Sequence, residues 1–114
     1  MLMTTDKPMN REQIRQATDD KLSGHAKWCG HWCRMLKYSM AGEYRVAFGR
    51  ILDELESRGW QTMTRETLAG VYAAIMMARD ILDDIDTATK YQRAYDAILD
   101  EFYHRNNAMT ASAN

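Results

Sequence analysis

The chain has 114 residues, which is one domain with room for a core that needs no metal or disulfide staple. Its formal net charge of −1 gives no overall attraction to nucleic acid or a membrane, and 46% apolar with 27% charged residues is an ordinary globular balance. Pro8 is the one proline, glycines number six and methionines nine, a composition that favours helices over turn-rich β architecture.

Residues 1–8 read as a loose tail. The first helix starts after Asn10, whose side chain and that of Gln13 are spaced as a capping box; Met9 and Ile14 flank it as a hydrophobic staple. Its end is open. Asp19, Asp20 or Ser23 would cap a second helix, yet Ile14, Ala17 and Thr18 keep the angular phase of the apolar residues that follow. One kinked helix over 11–38 and two helices both fit. From Leu22 the stripe continues as His25, Cys29, Trp32 and Leu36, in helical steps of three and four.

Ser39 is placed to cap the next helix, about 41–58, with Tyr44, Phe48, Ile51, Leu52 and Leu55 inward. Glu54 and Arg58 form an i,i+4 pair in the favourable order, and Gly59 stands where a left-handed stop belongs. After a loop over 60–63, Thr62 or Thr64 caps a helix of about 65–85. Its middle, Leu68 to Ala78, is apolar nearly all round and reads as the most central helix. The uncharged run Thr67 to Ala78 has 12 residues, too short to cross a bilayer.

The last helix, about 88–105, turns Tyr91, Tyr95, Ile98, Leu99 and Phe102 to one side. That side is rotated by roughly 140° from a continuation of the preceding helix, so a tight hairpin capped by Asp86 or Thr87 separates them. Residues 106–114 are polar and small and read as a second tail. The expected fold is therefore all-α, a compact bundle of four to five amphipathic helices in a single domain.

Charge is segregated along the chain. Between Lys21 and Arg50 six bases face one acid, net +5; between Asp80 and Glu101 seven acids face two bases, net −5. The basic stretch interleaves aromatics. Lys27, His31, Arg34, Lys37 and Tyr38 share one helical face with Trp28 at its edge, and Arg45 and Arg50 add charge on the next helix. Cations beside aromatics suit an acidic protein surface or a phosphate-rich strand. Against this stands the plain reading, with the tryptophans in the core and the lysines merely solvated.

Other constellations fall short of chemistry. His25, Cys29 and Cys33 share a side but His31 points away, which leaves three ligands where structural zinc takes four. Asp80, Asp83, Asp84 and Asp86, with Asp53, Glu54 and Glu56, form a candidate Mg²⁺ set without a paired pattern; a solvated helix end explains them as well. Glu101 and His104 make one E-x-x-H, and a di-iron bundle needs two. Residues 50–77 have the layout of a helix-turn-helix, but the second helix is too apolar to read a groove. The sequence holds no Gly-rich phosphate loop and no nucleophile elbow.

The expected function is a non-enzymatic interaction protein, an adaptor, accessory subunit or inhibitor of a larger complex, without cofactor or metal. Its expected contact residues are Lys27, Trp28, His31, Arg34, Lys37, Tyr38, Arg45 and Arg50. A nucleic-acid-binding module using the same face is the alternative, and a small metal-dependent enzyme using the 80–86 acids is the third reading. Charge segregation is compatible with a homodimer. Cys29 and Cys33, four apart on one helix, suit a disulfide poorly, and the start shows no signal-peptide pattern; both point to the cytoplasm.

Overall fold

The computed structural model describes residues 7–36, 42–78 and 85–113, with the side chains of 88–107 in the last helix. The described residues form an all-α bundle: α1 (Arg11–Gln16), α2 (Asp19–Met35), α3 (Gly42–Arg58), a single 3₁₀ turn (Trp60–Thr62), α4 (Arg65–Ala78) and α5 (Ile85–Ala113).

Local chemistry fixes most of the starts and stops. The Asn10 side chain accepts from the Gln13 N–H, and Gln13 accepts from the Asn10 N–H, both at 2.9 Å, so the capping box forms as read. The 11–38 segment is two helices. The break falls at Ala17 and Thr18, both extended, and Thr18 Oγ1 accepts from the Lys21 N–H at 3.2 Å. None of Asp19, Asp20 or Ser23 caps α2; a β-branched hydroxyl residue holds the exposed donor better than it extends an apolar stripe. Gly59 ends α3 with φ +98°, a conformation that penalises any Cβ. Thr64, one of the two residues expected to cap α4, accepts from the Thr67 N–H at 3.1 Å. The expected cap Ser39 lies outside the described residues, and Asp86 and Thr87 are not caps, since α5 already begins at Ile85 and includes both.

α2 and α4 run in the same direction, joined near their starts by Ser23 Oγ donating to the Thr67 carbonyl at 3.1 Å. Thr67 Oγ1 donates to Asp20 and accepts from the Thr64 hydroxyl, which ties the two N-termini together. The seam between these helices is built of small residues. A Cβ on Gly30 would stand 2.9 Å from the Ala74 carbonyl oxygen, and one on Gly70 would collide with Ser23 Oγ. At Gly30 the facing helix backbone stands where a methyl would go, which requires glycine; at Gly70 the obstacle is the Ser23 hydroxyl.

α3 runs against α2. Arg58, its last residue, donates to Asp19 and Glu54 at 2.8 Å each and to the Arg15 carbonyl at 3.0 Å, which clasps α1, α2 and α3 at one point. α5 runs alongside α3, with Lys90 on Asp53 and Arg93 on Glu56, both at 2.9 Å. It runs against α4, where Tyr72 stacks on Tyr95 at 5.3 Å. Arg105 reaches the Met63 carbonyl at 2.6 Å and anchors the turn before α4.

The core gathers Leu22, Cys29, Phe48, Ile51, Leu55, Leu68, Ile75, Tyr91 and Ile98, all at or below 1% exposure. Burying such side chains contributes about 1.5–3 kcal/mol each relative to exposure. Two expectations need correction. α4 is not buried all round: Ala69, Ala73 and Met76 are exposed. Alanine and methionine accept either environment, so an apolar run of them does not mark a central helix. α5 extends to Ala113, well past the expected end, because 106–113 holds no Gly or Pro and an existing helix propagates at little cost. No described helix is long and apolar enough to cross a membrane.

Candidate functional site

The structure separates the expected contact residues into two surfaces. On α2, Lys27, His31 and Arg34 are exposed, spaced four and three apart along one face. Lys27 lies across α4, its Cδ 3.6 Å from the position a Gly70 Cβ would take. Arg45 and Arg50, both half-buried on α3, instead line a cleft with α1 and α5. The expected single face is therefore not one surface, because the cleft that Arg45 and Arg50 line is shared with Arg11 and Lys90 and not with the exposed α2 cations. Lys37 and Tyr38 lie outside the described residues.

Trp28 does not stand free beside the cations. It is half-buried, stacked on His25 at 5.0 Å and edge-on to Tyr44 at 5.3 Å. Trp32 packs with Tyr44 and His31, and its Nε1 is buried without a hydrogen-bond partner among the described residues. The aromatics of the basic stretch thus join α2 to α3, which is the plain reading of the tryptophans.

Three adjoining clefts, of about 300, 460 and 400 Å³, open along the outer side of α3, and Arg50 lines all of them. The largest joins Arg11 and Arg50 to Arg45 and Lys90, with Val46 and Asp53 between. The Lys7–Asn10 segment walls the third cleft. That segment is held by its own latch: the Met9 N–H donates to His25 Nε2 at 3.0 Å. His25 is half-buried, and burial lowers its pKa, which keeps the ring neutral and able to accept.

Arg11 and Lys90 were not among the expected site residues. Arg11 read only as the first residue of a short helix, and Lys90 stood in a stretch dominated by acids. The hint available was the capping box, which fixes Arg11 in the first turn; that this turn packs beside α3 depends on Arg58 reaching the carbonyls of α1.

Among the described residues the remaining constellations do not assemble into reactive groups. Cys29 and Cys33 are buried free thiols. Burial pushes Cys29 up to about 12 and Cys33 up to about 11, the latter against a small opposing pull from Arg45, so both stay protonated at neutral pH. His25 Nε2 is occupied by Met9. Among the described residues no three His, Cys, Asp or Glu side chains gather as metal ligands. Asp80, Asp83, Asp84 and Asp86 lie outside the described side chains. Glu101 is tied to Arg105 at 3.0 Å, while His104 is exposed.

Comparison with protein-family models, with curated proteins and with solved structures finds no match to this chain.

Proposed function

We propose that the protein is a non-enzymatic interaction protein, an adaptor, accessory subunit or inhibitor, which acts in the cytoplasm and binds an acidic macromolecular partner through its basic surfaces. One observation carries this reading. On the first three helices Glu12, Asp19, Asp53, Glu54 and Glu56 are each held by a cation, and of their acids Asp20 and Glu43 have no ion pair among the described residues. Arg11, Lys27, Arg34 and Arg50 have no ion pair among the described residues. A near-neutral chain thereby presents uncompensated positive charge over its first three helices. Such charge speeds encounter with an acidic surface and rejects basic ones. Two buried, unpaired thiols favour a reducing compartment.

The test is a pull-down on the full chain, with and without nuclease, comparing wild type with two charge reversals. One carries Lys27→Glu with Arg34→Glu, the other Arg11→Glu with Arg50→Glu. A nuclease-resistant partner lost with at least one reversal is expected. A partner that survives both reversals, while circular dichroism shows intact helices, refutes the reading. Recovery that vanishes with nuclease and falls log-linearly with salt assigns the surface to phosphate contacts instead.

A further inference from the structure

The clefts along α3 have a shape that the α2 face lacks. Their floor is the outer stripe of α3: Gly42, Val46, Gly49 and Asp53, in steps of four, three and four. Over this stripe the helix rises about 16 Å at 1.5 Å per residue. Two of the four floor positions are glycines, so the floor is low. No heavy atom lies within 4 Å of a Cβ position at Gly42, and at Gly49 the nearest is Lys90 Nζ, 3.6 Å away. The walls are the Lys7–Asn10 segment on one side and Lys90 of α5 on the other. Val46 stands in the middle at 54% exposure, a β-branched apolar side chain left open by the described residues.

The charges are arranged around that apolar centre. Arg11 and Arg50 border it and have no ion-pair partner among the described residues. Lys90 is already held by Asp53. An occupant that matches this pattern presents one apolar side chain to Val46 and carboxylates to Arg11 and Arg50. A helix with a narrow apolar stripe flanked by Asp and Glu does so over three turns, the length of the floor.

We propose that this groove is the docking site for an acidic amphipathic helix of a partner protein. The proposal rests on the reading of the protein as a binder of acidic partners and gives that reading one place and one mode. A nucleic-acid strand fits less well. No aromatic side chain lines the three clefts among the described residues, so bases find nothing to stack on. The carboxylates of Glu43, Asp53 and Glu54 also line the clefts and would interrupt a continuous track of phosphates.

The experiment selects a displayed library of random peptides of about 14 residues, four helical turns, on the immobilised full chain. Enriched peptides are expected to be rich in Asp and Glu, with apolar residues at helical spacing. Their affinity in solution should fall by about tenfold or more with Arg50→Glu and with Val46→Glu. It should change by less than about twofold with the Lys27→Glu, Arg34→Glu double variant. Val46 is exposed and Arg50 is half-buried at the cleft, so circular dichroism checks that both variants fold. Acidic peptides that depend on Lys27 and Arg34 but not on Arg50 and Val46 overturn the groove and leave the general reading standing. Enrichment of neutral or basic peptides only, or of none, overturns both. A labelled single-stranded oligonucleotide that binds, with loss on Arg50→Glu, while no acidic peptide is enriched, replaces the helix by nucleic acid and also overturns the proposal.

Discussion

Replacing Gly70 by alanine should destabilise the protein, and the same replacement should stabilise it once Ser23 is alanine. In the wild type the new methyl would occupy the place of Ser23 Oγ. The hydroxyl must rotate away, which breaks its bond to the Thr67 carbonyl and leaves a buried donor unpaired. That costs about 1–3 kcal/mol. Against it stands the gain of alanine over glycine inside a helix, about 1 kcal/mol. The net expectation is a loss of about 1 kcal/mol. With Ser23→Ala the nearest remaining atom is the residue 23 Cβ at 3.5 Å, ordinary contact, and the propensity gain is left alone. The same step then raises stability by about 1 kcal/mol. An entropy of unfolding near 2.1 cal/mol/K per residue turns each of these into a Tm change of about 4 °C. Four chains followed by urea and thermal unfolding close the cycle, with a coupling of about 2 kcal/mol. A change of the same sign in both backgrounds refutes the close approach of α2 and α4.

Tyr91 is 1% exposed and its hydroxyl has no hydrogen-bond partner among the described residues, so Tyr91→Phe should leave stability unchanged or raise it by up to about 1 kcal/mol in urea unfolding; a clear loss would show that the hydroxyl is bonded. Burial lowers the pKa of His25 from 6.5, so the folded state prefers the neutral ring. Stability is then whole above the unfolded value and falls as pH drops through 6.5 toward the lower folded pKa, and His25→Gln should flatten Tm against pH in that window. Arg58→Met should cost about 2 kcal/mol, since a part-buried guanidinium loses two carboxylates and the carbonyls of α1; a chain as stable as wild type would show that the clasp contributes nothing.

What could be read from the sequence was what neighbouring residues decide between themselves. Asn10 with Gln13, Glu54 with Arg58 and the stop at Gly59 are contacts within four residues or a property of one residue, and each stands where the spacing put it. The inner face of α3 was legible for the same reason, since Phe48, Ile51, Leu52 and Leu55 are large enough to admit one environment only. Ala69, Ala73 and Met76 carry no such information, and hydropathy placed them inside while the structure leaves them exposed. The surface was half legible. The exposed α2 cations Lys27, His31 and Arg34 follow from the helical period. That Arg45 and Arg50 turn toward Arg11 and Lys90 depends on contacts between helices distant in sequence, which no local pattern encodes.

The glycine seam has a consequence for how the chain reaches its fold. α2 and α4 meet through residues such as Ser23 and Thr67, separated by the whole of α3. This seam therefore cannot grow by adding each helix to the one before it. The loop through α3 must close before the two glycines find their partners, and its entropy is lost before their contacts compensate. Folding speed should respond to the α2–α4 seam more than to any adjacent pair, with φ-values at Ala26 and Ala74 reporting whether the seam forms early or last.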